Sequence, residues 1–367
     1  MSDLMCVACG VRYAYDIDPC TFCGASLTEG EPSPAIVLAV TRVDTPSTGH
    51  EDAPYWCALV KSAQGAQAII KFDRPVEVDD EVSTSVSGTV RTYVVGIVGS
   101  GVMARGLSEM LLFRGHRVVW VGRSIGRLES ARDMVADRLS RVMDETELDA
   151  AMSHCSVSPS FDALATCDVV VEAVIEELIP KHETLLAIER ELPSHVYLAT
   201  NTSSLPLDAL SDGMSIPERF GGLHFFNPPT RMRLVEVVRA PATVDATEEF
   251  LCEFAQVVGK VPVRVAAGPG FVVNRVLMPL LNEAVRALED GIADAESIDE
   301  AVRLGLNHPM GPLALADLIG LDVVVSIMQD LHARLGDEAY APRPMLLALV
   351  AERRLGRKTR SGFYEYA

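Results

Sequence analysis

The chain has 367 residues, of which 49% are hydrophobic, and this is enough for more than one packed core. Its formal net charge of −19 argues against a nucleic-acid partner or an anionic membrane surface, because contact with phosphates requires a basic surface. The first residues lack a charged segment followed by an apolar one, and no apolar run approaches the roughly 20 residues of a membrane span, so we expect a cytoplasmic protein.

Two C-x-x-C pairs lie in the first 30 residues, and a glycine follows each pair. Turns of this kind supply two thiolates each, and four thiolates complete the tetrahedral shell of a structural zinc ion. The four predicted zinc ligands are Cys6, Cys9, Cys20 and Cys23. Because four thiolates leave no open position on the metal, we expect no catalysis from this site.

Residues 31–91 contain four short β-prone runs separated by turn residues, at positions 35–43, 55–59, 66–72 and 81–86. They predict a small β domain. A zinc ribbon followed by such strands resembles the ribbon-plus-OB-fold modules that accompany acyl-CoA enzymes. Dense Lys, Arg and aromatic residues are lacking, so we do not expect this domain to bind nucleic acid.

A glycine-rich turn between two apolar runs begins the next part of the chain. Residues 94–98 predict a strand, 103–114 a helix and 117–121 a second strand. Strand, glycine turn, helix and strand in this order predict the start of a dinucleotide-binding unit. Gly99 permits the tight turn, and Gly101 leaves no Cβ where a pyrophosphate approaches the helix N-terminus. The predicted cofactor-binding residues here are Gly99, Gly101, Val102, Met103 and Ala104.

Strand and helix patterns alternate as far as residue 200. Helices are predicted at 124–143, 145–153 and 181–191, and strands at 168–174 and 196–200. This alternation predicts an α/β fold with a doubly wound parallel sheet, which binds ligands at the carboxyl ends of its strands.

From Gly268 the pattern becomes helical, with helices predicted at 270–289, 298–304, 313–329 and 345–352. Surplus apolar residues on such helices are typical of a dimer surface, so we expect a homodimer. The predicted domains are therefore a zinc ribbon (1–30), an OB-like β domain (31–91), a Rossmann dinucleotide-binding domain (92–268) and a helical dimerisation and substrate domain (269–367).

Residues 93–367 resemble the 3-hydroxyacyl-CoA dehydrogenase family, whose best-known members act on 3-hydroxybutyryl-CoA. The resemblance is carried by GSGVM from Gly99, VVEAVIE from Val170, NTSSL from Asn201, RFGGLHFFNPP from Arg219, LVEVV from Leu234, GPGFVVNR from Gly268, HPMGP from His308 and GRKT from Gly356. It implies reversible hydride transfer between C3 of a 3-hydroxyacyl thioester and a nicotinamide cofactor.

Oxidation of a secondary alcohol requires a base for the hydroxyl proton. His224 is the candidate, because imidazole titrates near neutral pH and His224 follows an apolar run. Glu236 lies in another apolar run, where its carboxylate needs a partner such as an imidazole N–H across a hairpin-like return. The resemblance implies these two roles, and it implies that Ser203 and Asn274 bind the substrate oxygen. It further implies that the dinucleotide is lined by Glu176, Lys181, Asn227 and Lys358, with Lys181 also near the CoA.

The second predicted strand ends in Gly122-Arg123-Ser124, where the family normally has an acidic residue that holds the adenosine ribose. A carboxylate there would repel a 2′-phosphate, whereas Arg123 and Ser124 can bind one. We therefore expect the enzyme to prefer NADP(H), with NAD(H) as the other possible cofactor. Ala104, in the third glycine position, agrees with this expectation.

Two further differences from the family concern the acyl carrier. The segment between the second strand and Asp168 is shorter and less basic than in members that hold CoA between helices, and Arg360 stands where a glycine is usual. One alternative to a CoA substrate is therefore a hydroxyacyl group bound to an acyl carrier protein. Another is a non-catalytic scaffold that binds an acyl thioester.

Overall fold

A computed structural model describes residues 4–6, 12–13, 27–29, 33–43, 55–62, 67–72, 77–79, 81–84 and 92–366. The chain forms two compact units. The first unit consists of Met1–Ile175, Ile179–Asn201 and Ser211–Arg264, and the second consists of Glu176–Leu178, Thr202–Leu210 and Val265–Ala367. Each unit has its own cluster of buried apolar side chains.

Short antiparallel strands make up the two sheets before Val94. The first sheet has the order β2-β1-β3, with β1 (Leu4–Cys6), β2 (Arg12–Tyr13) and β3 (Leu27–Glu29). The second has the order β6-β5-β4-β7, with β4 (Ser33–Val43), β5 (Tyr55–Ser62), β6 (Gln67–Phe72) and β7 (Glu81–Thr84). The four strands predicted within residues 31–91 are thus confirmed. The predicted zinc ligands Cys9, Cys20 and Cys23 lie outside the described residues, as does the side chain of Cys6.

A sheet of eight strands forms the centre of the first unit. Its order is β10-β9-β8-β11-β12-β13-β14-β15, and its strands are β8 (Val94–Val98), β9 (Arg117–Val121), β10 (Cys155–Ser158), β11 (Val169–Glu172), β12 (Tyr197–Thr200), β13 (Phe220–Phe225), β14 (Leu234–Arg239) and β15 (Val261–Ala266). The six strands from β10 to β13 are parallel, and β13 pairs with β14 antiparallel. Counted from β8, the parallel strands have the 3-2-1-4-5-6 order of a Rossmann fold, which changes direction between β8 and β11.

The helices that precede residue 260 are α1 (Val102–Phe113), α2 (Ile125–Leu139), α3 (Glu145–Ser153), α4 (Leu178–Glu191), α5 (Leu207–Ser211) and α6 (Asp245–Val257), with short 3₁₀ turns at Phe161–Thr166 and Pro217–Arg219. Helix α1 forms because Ala104, Leu107 and Leu111 recur at helical spacing, and all three side chains are buried against the sheet core. Asp144 starts α3 with a reciprocal capping box, in which its carboxylate accepts the Glu147 N–H at 2.8 Å.

Five helices follow in the second unit, and they are α7 (Val273–Glu289), α8 (Ala295–Gly305), α9 (Pro312–Ile319), α10 (Leu321–Leu335) and α11 (Pro344–Ala351), with 3₁₀ turns at Glu338–Tyr340 and Arg357–Thr359. The single helix predicted at 313–329 is wrong, because α9 and α10 are separate helices that meet at Gly320 at an angle of 97°. Gly320 has a φ of +105°, which only glycine adopts readily. Among the described helices none alone is long and apolar enough to cross a membrane, and α9 with α10 passes that test only as this bent pair.

Candidate active site

The glycine turn after β8 leaves room for a phosphate at the start of α1. Gly99 has a φ of +123°, and a Cβ on it would lie 2.5 Å from the carbonyl oxygen of Ala173. Gly101 is the N-cap of α1 without a side-chain cap, and a Cβ on it would meet no atom within 4 Å. The first N–H groups of a helix have no partner within the helix, and its N-terminus is electropositive. The turn therefore fits a dinucleotide pyrophosphate, as predicted from the sequence.

The three residues after the glycines serve different purposes. Val102 is exposed, Met103 is half-buried against the core of the first unit, and Ala104 is fully buried in that core. Ala104 therefore occupies the position that allows close packing of helix on strand. The Trp120 side chain, also fully buried, donates from Nε1 to the carbonyl oxygen of Gly99 at 2.6 Å and so steadies the turn.

The end of β9 carries the residues predicted to choose between the two dinucleotides. Gly122 is half-buried, and Arg123 and Ser124 are exposed. Ser124 is the N-cap of α2, but its side chain makes no capping hydrogen bond. A Cβ on Gly122 would lie 3.1 Å from Cδ2 of Leu128, so a larger side chain here requires a small shift of that leucine.

A buried ion pair closes the carboxyl end of β11. Glu172 is fully buried, and its Oε1 atom lies 2.8 Å from Nζ of Lys181, which is 1% exposed. The same carboxylate accepts the Val174 N–H at 2.6 Å and the Thr200 hydroxyl at 2.7 Å. The ammonium of Lys181, which the resemblance placed beside the dinucleotide and CoA, is therefore held by Glu172 inside the first unit. A buried charge without such partners would be costly.

His224 and Glu236 face each other on neighbouring strands. They are direct partners in the antiparallel register of β13 and β14, and Nδ1 of His224 lies 2.6 Å from Oε2 of Glu236. Their side chains are 8% and 1% exposed. Because the carboxylate accepts the Nδ1 proton, the neutral ring has its lone pair on Nε2, where it can take a proton from a substrate. The contact predicted across a hairpin-like return is present.

Two polar side chains hold the backbone around this pair. The side-chain oxygen of Asn201 accepts the Phe225 N–H at 2.9 Å, directly after His224. The Lys260 ammonium, 3% exposed, donates to the carbonyl oxygens of Pro229 and Met232 in the loop from β13 to β14. Burial, with the nearby charge of Arg114, lowers the pKa of Lys260 to about 8. Asn227, a predicted dinucleotide contact, is exposed in this loop.

In the second unit, Ser203 lies in a short segment at residues 202–205 that we call the Ser203 loop. Oε1 of Glu176 accepts the Ser203 N–H at 2.6 Å, the Ser203 hydroxyl at 3.1 Å and the Thr202 hydroxyl at 2.6 Å. The Asn274 amide, at the start of α7, donates to the Ser203 carbonyl oxygen at 3.4 Å. The structure thus brings the Asn274 amide and the Glu176 carboxylate to the Ser203 loop, and the binding of a substrate oxygen by Ser203 and Asn274 stays a prediction.

Lys358 is the last residue predicted to line the dinucleotide. It lies in the second unit, where its ammonium donates to the carboxylate of Asp322 in the first turn of α10. The two side chains are 43% and 40% exposed, so this is a surface ion pair of small energetic value.

Comparison with known proteins gives the chain its family. Residues 94–268 match the NAD-binding domain of 3-hydroxyacyl-CoA dehydrogenases, and residues 270–366 match the C-terminal domain of the same enzymes. The chain belongs to the 3-hydroxyacyl-CoA dehydrogenase family. It is 39% identical over 277 residues to a 3-hydroxybutyryl-CoA dehydrogenase of Clostridioides difficile, covering 74% of this chain and 99% of that protein.

Two further 3-hydroxyacyl-CoA dehydrogenases are similar to most of the chain. A 3-hydroxybutyryl-CoA dehydrogenase of Bradyrhizobium diazoefficiens is 40% identical over 277 residues, which are 74% of this chain and 94% of that protein. The crystal structure of (S)-3-hydroxybutyryl-CoA dehydrogenase from Ralstonia eutropha superposes with a TM-score of 0.72 at 39% identity, over 76% of this chain and all of that one. As a 3-hydroxyacyl-CoA dehydrogenase, the chain is an oxidoreductase that acts on a CH–OH group with a nicotinamide cofactor.

The sequence did not identify Glu172 or Asn201 as site-supporting residues of this 3-hydroxyacyl-CoA dehydrogenase. A signal for Glu172 existed, because a carboxylate that ends the apolar run Val169–Glu172 must find a buried partner. Asn201 gave no such signal, since an asparagine after a strand usually serves a turn. Among the residues whose side chains the structure describes, no group of three or more His, Cys, Asp or Glu residues could hold a metal ion.

Proposed function

We propose that this chain catalyses the reversible oxidation of a short-chain 3-hydroxyacyl-CoA, such as 3-hydroxybutyryl-CoA, to the 3-oxoacyl-CoA. The observation that carries the proposal is the buried contact of 2.6 Å between His224 and Glu236 at the end of β13. The names of the relatives favour CoA as the carrier. They favour neither a substrate bound to an acyl carrier protein nor a non-catalytic scaffold.

The roles of the residues follow from the chemistry of alcohol oxidation. A bound nicotinamide ring supplies the acceptor for the hydride that leaves C3. His224 takes the hydroxyl proton on Nε2, and Glu236 stabilises the resulting imidazolium through Nδ1. Ser203 and Asn274 hold the substrate oxygen while it becomes a carbonyl. In the reductive direction the imidazolium returns the proton to that oxygen.

The test is the initial rate of reduced-nicotinamide consumption with acetoacetyl-CoA. His224→Ala should reduce kcat by about 10²–10⁴-fold, because it removes the general acid and base. Arg286→Ala is the control, since Arg286 on α7 pairs only on the surface with Glu283. A folded wild-type protein that fails to consume either reduced nicotinamide with this substrate would contradict the proposal.

We infer that NADP(H) is the preferred cofactor. The inference is supported by the absence of a carboxylate after β9 and by the exposed guanidinium of Arg123 beside the start of α2. Gly122→Asp should shift the ratio of kcat/KM values toward NAD(H). Gly122→Ala is the steric control, because it crowds Leu128 without adding charge. Equal ratios in the wild type and Gly122→Asp would contradict the inference.

We propose for the N-terminal residues a zinc ribbon at 1–30, with Cys6, Cys9, Cys20 and Cys23 as ligands, and an OB-like domain at 31–91. The antiparallel sheets β1–β3 and β4–β7 support this division, and we propose a docking function for the module. Native mass spectrometry should find one zinc ion per chain, lost in Cys20→Ser. Zinc-free wild-type protein would contradict the assignment.

We propose that the rest of the chain consists of a Rossmann domain at 92–268 and a helical domain at 269–367. We also propose that the protein is a homodimer formed through the helical domain. The proposal is supported by large apolar side chains exposed on the second unit, including Val276, Ile292 and Leu304 at 68%, 74% and 63% exposure. Sedimentation equilibrium should give twice the chain mass. The cytoplasmic location expected from the sequence remains a prediction, which cell fractionation checks.

A further inference from the structure

The Ser203 loop is held by side chains rather than by regular backbone pairing. Residues 202–205 belong to no helix or strand. The backbone N–H groups of Ser203 and Ser204 donate to Oε1 of Glu176 at 2.6 and 3.3 Å. These contacts account for two N–H groups of the loop. Its carbonyl groups also need partners, because backbone polar groups of a partly buried loop are rarely left without hydrogen bonds, and these partners help to fix the conformation of the loop.

Arg334 supplies a partner for one of those carbonyl groups. It lies 130 residues further along the chain, in the last turn of α10, and its Nη1 donates to the carbonyl oxygen of Ser204. The carbonyl oxygen of Ser203 accepts from Asn274. The loop is thus bound by a carboxylate on its N–H side and by a guanidinium and an amide on its C=O side, all within the second unit.

The Arg334 side chain is restrained in this position. It is 24% exposed, and its Nη1 atom lies 3.3 Å from Oδ2 of Asp330, one turn earlier on α10. Helix α10 ends one residue later at Leu335, and its C-cap residue Gly336 has a left-handed φ of +66°. A positive charge in the last turn also stabilises a helix through its dipole. That effect alone would not require a contact with a loop so distant in sequence.

We propose that Arg334 is a positioning residue for the dehydrogenase reaction, which holds the Ser203 loop in the conformation from which Ser203 binds the substrate oxygen. The inference rests on the proposed function, because Ser203 must contact the substrate for Arg334 to matter. Arg334 acts through the Ser204 carbonyl and does not itself touch the reacting atoms. Misplacement of a positioned group by about 1 Å can reduce a rate by about 100-fold, so loss of one tether is measurable.

The experiment is a double-mutant cycle between Arg334 and Ser203, measured as kcat/KM for acetoacetyl-CoA. Arg334→Ala should lower this value by about 10- to 100-fold and leave the KM for the reduced nicotinamide unchanged. Arg334→Lys should retain part of the activity, because an ammonium can still donate to one carbonyl. In a Ser203→Ala background, Arg334→Ala should have less than about a twofold further effect, since residues that act as a unit are not additive.

Arg286→Ala is the matched control, because Arg286 is an arginine of the same unit that is 52% exposed and pairs with Glu283 rather than with the Ser203 loop. Wild-type activity in Arg334→Ala, or an unchanged full effect of that substitution in the Ser203→Ala background, would overturn the inference. If Arg334→Ala does not fold, Arg334→Met, which keeps most of the aliphatic stem but has no donor, takes its place in the cycle with the same criteria.

The two proposals fail in distinguishable ways. An active wild type that loses activity in Ser203→Ala but not in the Arg334 variants overturns the role of Arg334 alone. A folded wild type without turnover overturns both, since there is then no reaction for the loop to serve. If Arg334→Ala raised the KM for acetoacetyl-CoA and the KM for the reduced nicotinamide by the same factor, that result would also contradict a role through Ser203.

Discussion

We assign two residue pairs to the reaction, His224 with Glu236 and Ser203 with Asn274. The two pairs are supported in different ways. His224 and Glu236 lie opposite each other in the ladder of β13 and β14, where backbone hydrogen bonds set the distance between their side chains. Ser203 lies in a loop, and the carboxylate of Glu176 and the guanidinium of Arg334 hold its backbone. The pair that we propose for proton transfer is thus placed by the strand register itself, whereas the serine that we propose for substrate binding is held by a few side chains.

This difference determines how each pair should respond to substitution. A change at His224 or Glu236 removes chemistry but leaves the ladder, so the protein should stay folded. A change at a tether of the Ser203 loop leaves every reacting group present and alters only its position. A loss of activity without a loss of stability is therefore expected at the ladder-supported pair, whereas a tether of the Ser203 loop can lose both.

Glu236→Gln tests the ladder-supported pair of His224 and Glu236, and it should have the largest effect on activity. The amide keeps the size of the side chain but no longer stabilises an imidazolium, so we expect kcat to fall by about 10²–10⁴-fold. The midpoint of urea unfolding should change little, because the ladder between β13 and β14 remains. Glu129→Gln, an exposed change on α2, is the control. A wild-type kcat in Glu236→Gln would contradict the role of the pair.

The largest effect on stability should come from the fully buried pair at the end of β11. Lys181→Met leaves the Glu172 carboxylate without its counter-ion, and we expect the free energy of unfolding to fall by about 3–5 kcal/mol. Urea unfolding followed by fluorescence measures this change. The double substitution with Glu172→Leu should recover part of the loss, since no buried charge then remains. An equal loss in the single and double variants would show that packing, and not charge, dominates.

A second buried histidine of the first unit contrasts with His224. His116 is fully buried, and its Nδ1 accepts the Tyr93 N–H at 3.2 Å, whereas Nδ1 of His224 faces a carboxylate. Burial, and after it the charge of Arg114, lowers the pKa of His116 to about 4 from the usual 6.5. Below pH 6.5 the unfolded chain binds a proton here that the folded chain does not, so stability should fall as the pH drops from 6.5 to 4.

The loss at His116 should total about 3 kcal/mol, since each pKa unit corresponds to about 1.4 kcal/mol. Urea unfolding of the wild type and His116→Gln at pH 7.5, 6, 5 and 4 measures it. The difference in unfolding free energy between the two proteins should change with pH over this window. A constant difference would contradict the assignment.

The smallest effect should come from a side-chain tether that serves no site. Asp144 holds the first turn of α3 as Glu176 holds the Ser203 loop, by accepting a backbone N–H. Asp144→Ala should lower the free energy of unfolding by about 1 kcal/mol and leave kcat/KM unchanged. Thermal unfolding and the acetoacetyl-CoA assay measure the two values. Reduced activity in this variant would show that loss of a tether at any position impairs the enzyme.

Much of the first unit could be predicted from local patterns. The strand of residues 117–121 and the helix of residues 145–153 have the predicted bounds, because apolar spacing and an N-cap act over a few residues. The break between α9 and α10 was missed, since Leu313 to Gln329 is apolar at helical spacing on both sides of Gly320. A glycine within such a pattern does not reveal whether its φ is positive.

The sequence by itself determined the alternation of strands and helices between residues 94 and 200 except for β10, the glycine turn after β8 and the residue types available for proton transfer. Only the tertiary structure decided that His224 and Glu236 are register partners, that Lys181 is committed to Glu172, and that Glu176 and Arg334 hold the same loop. The physical reason is range. Periodicity and capping act over a few residues, whereas strand register and the partners of buried charges join residues that only the folded sheet and helices bring together.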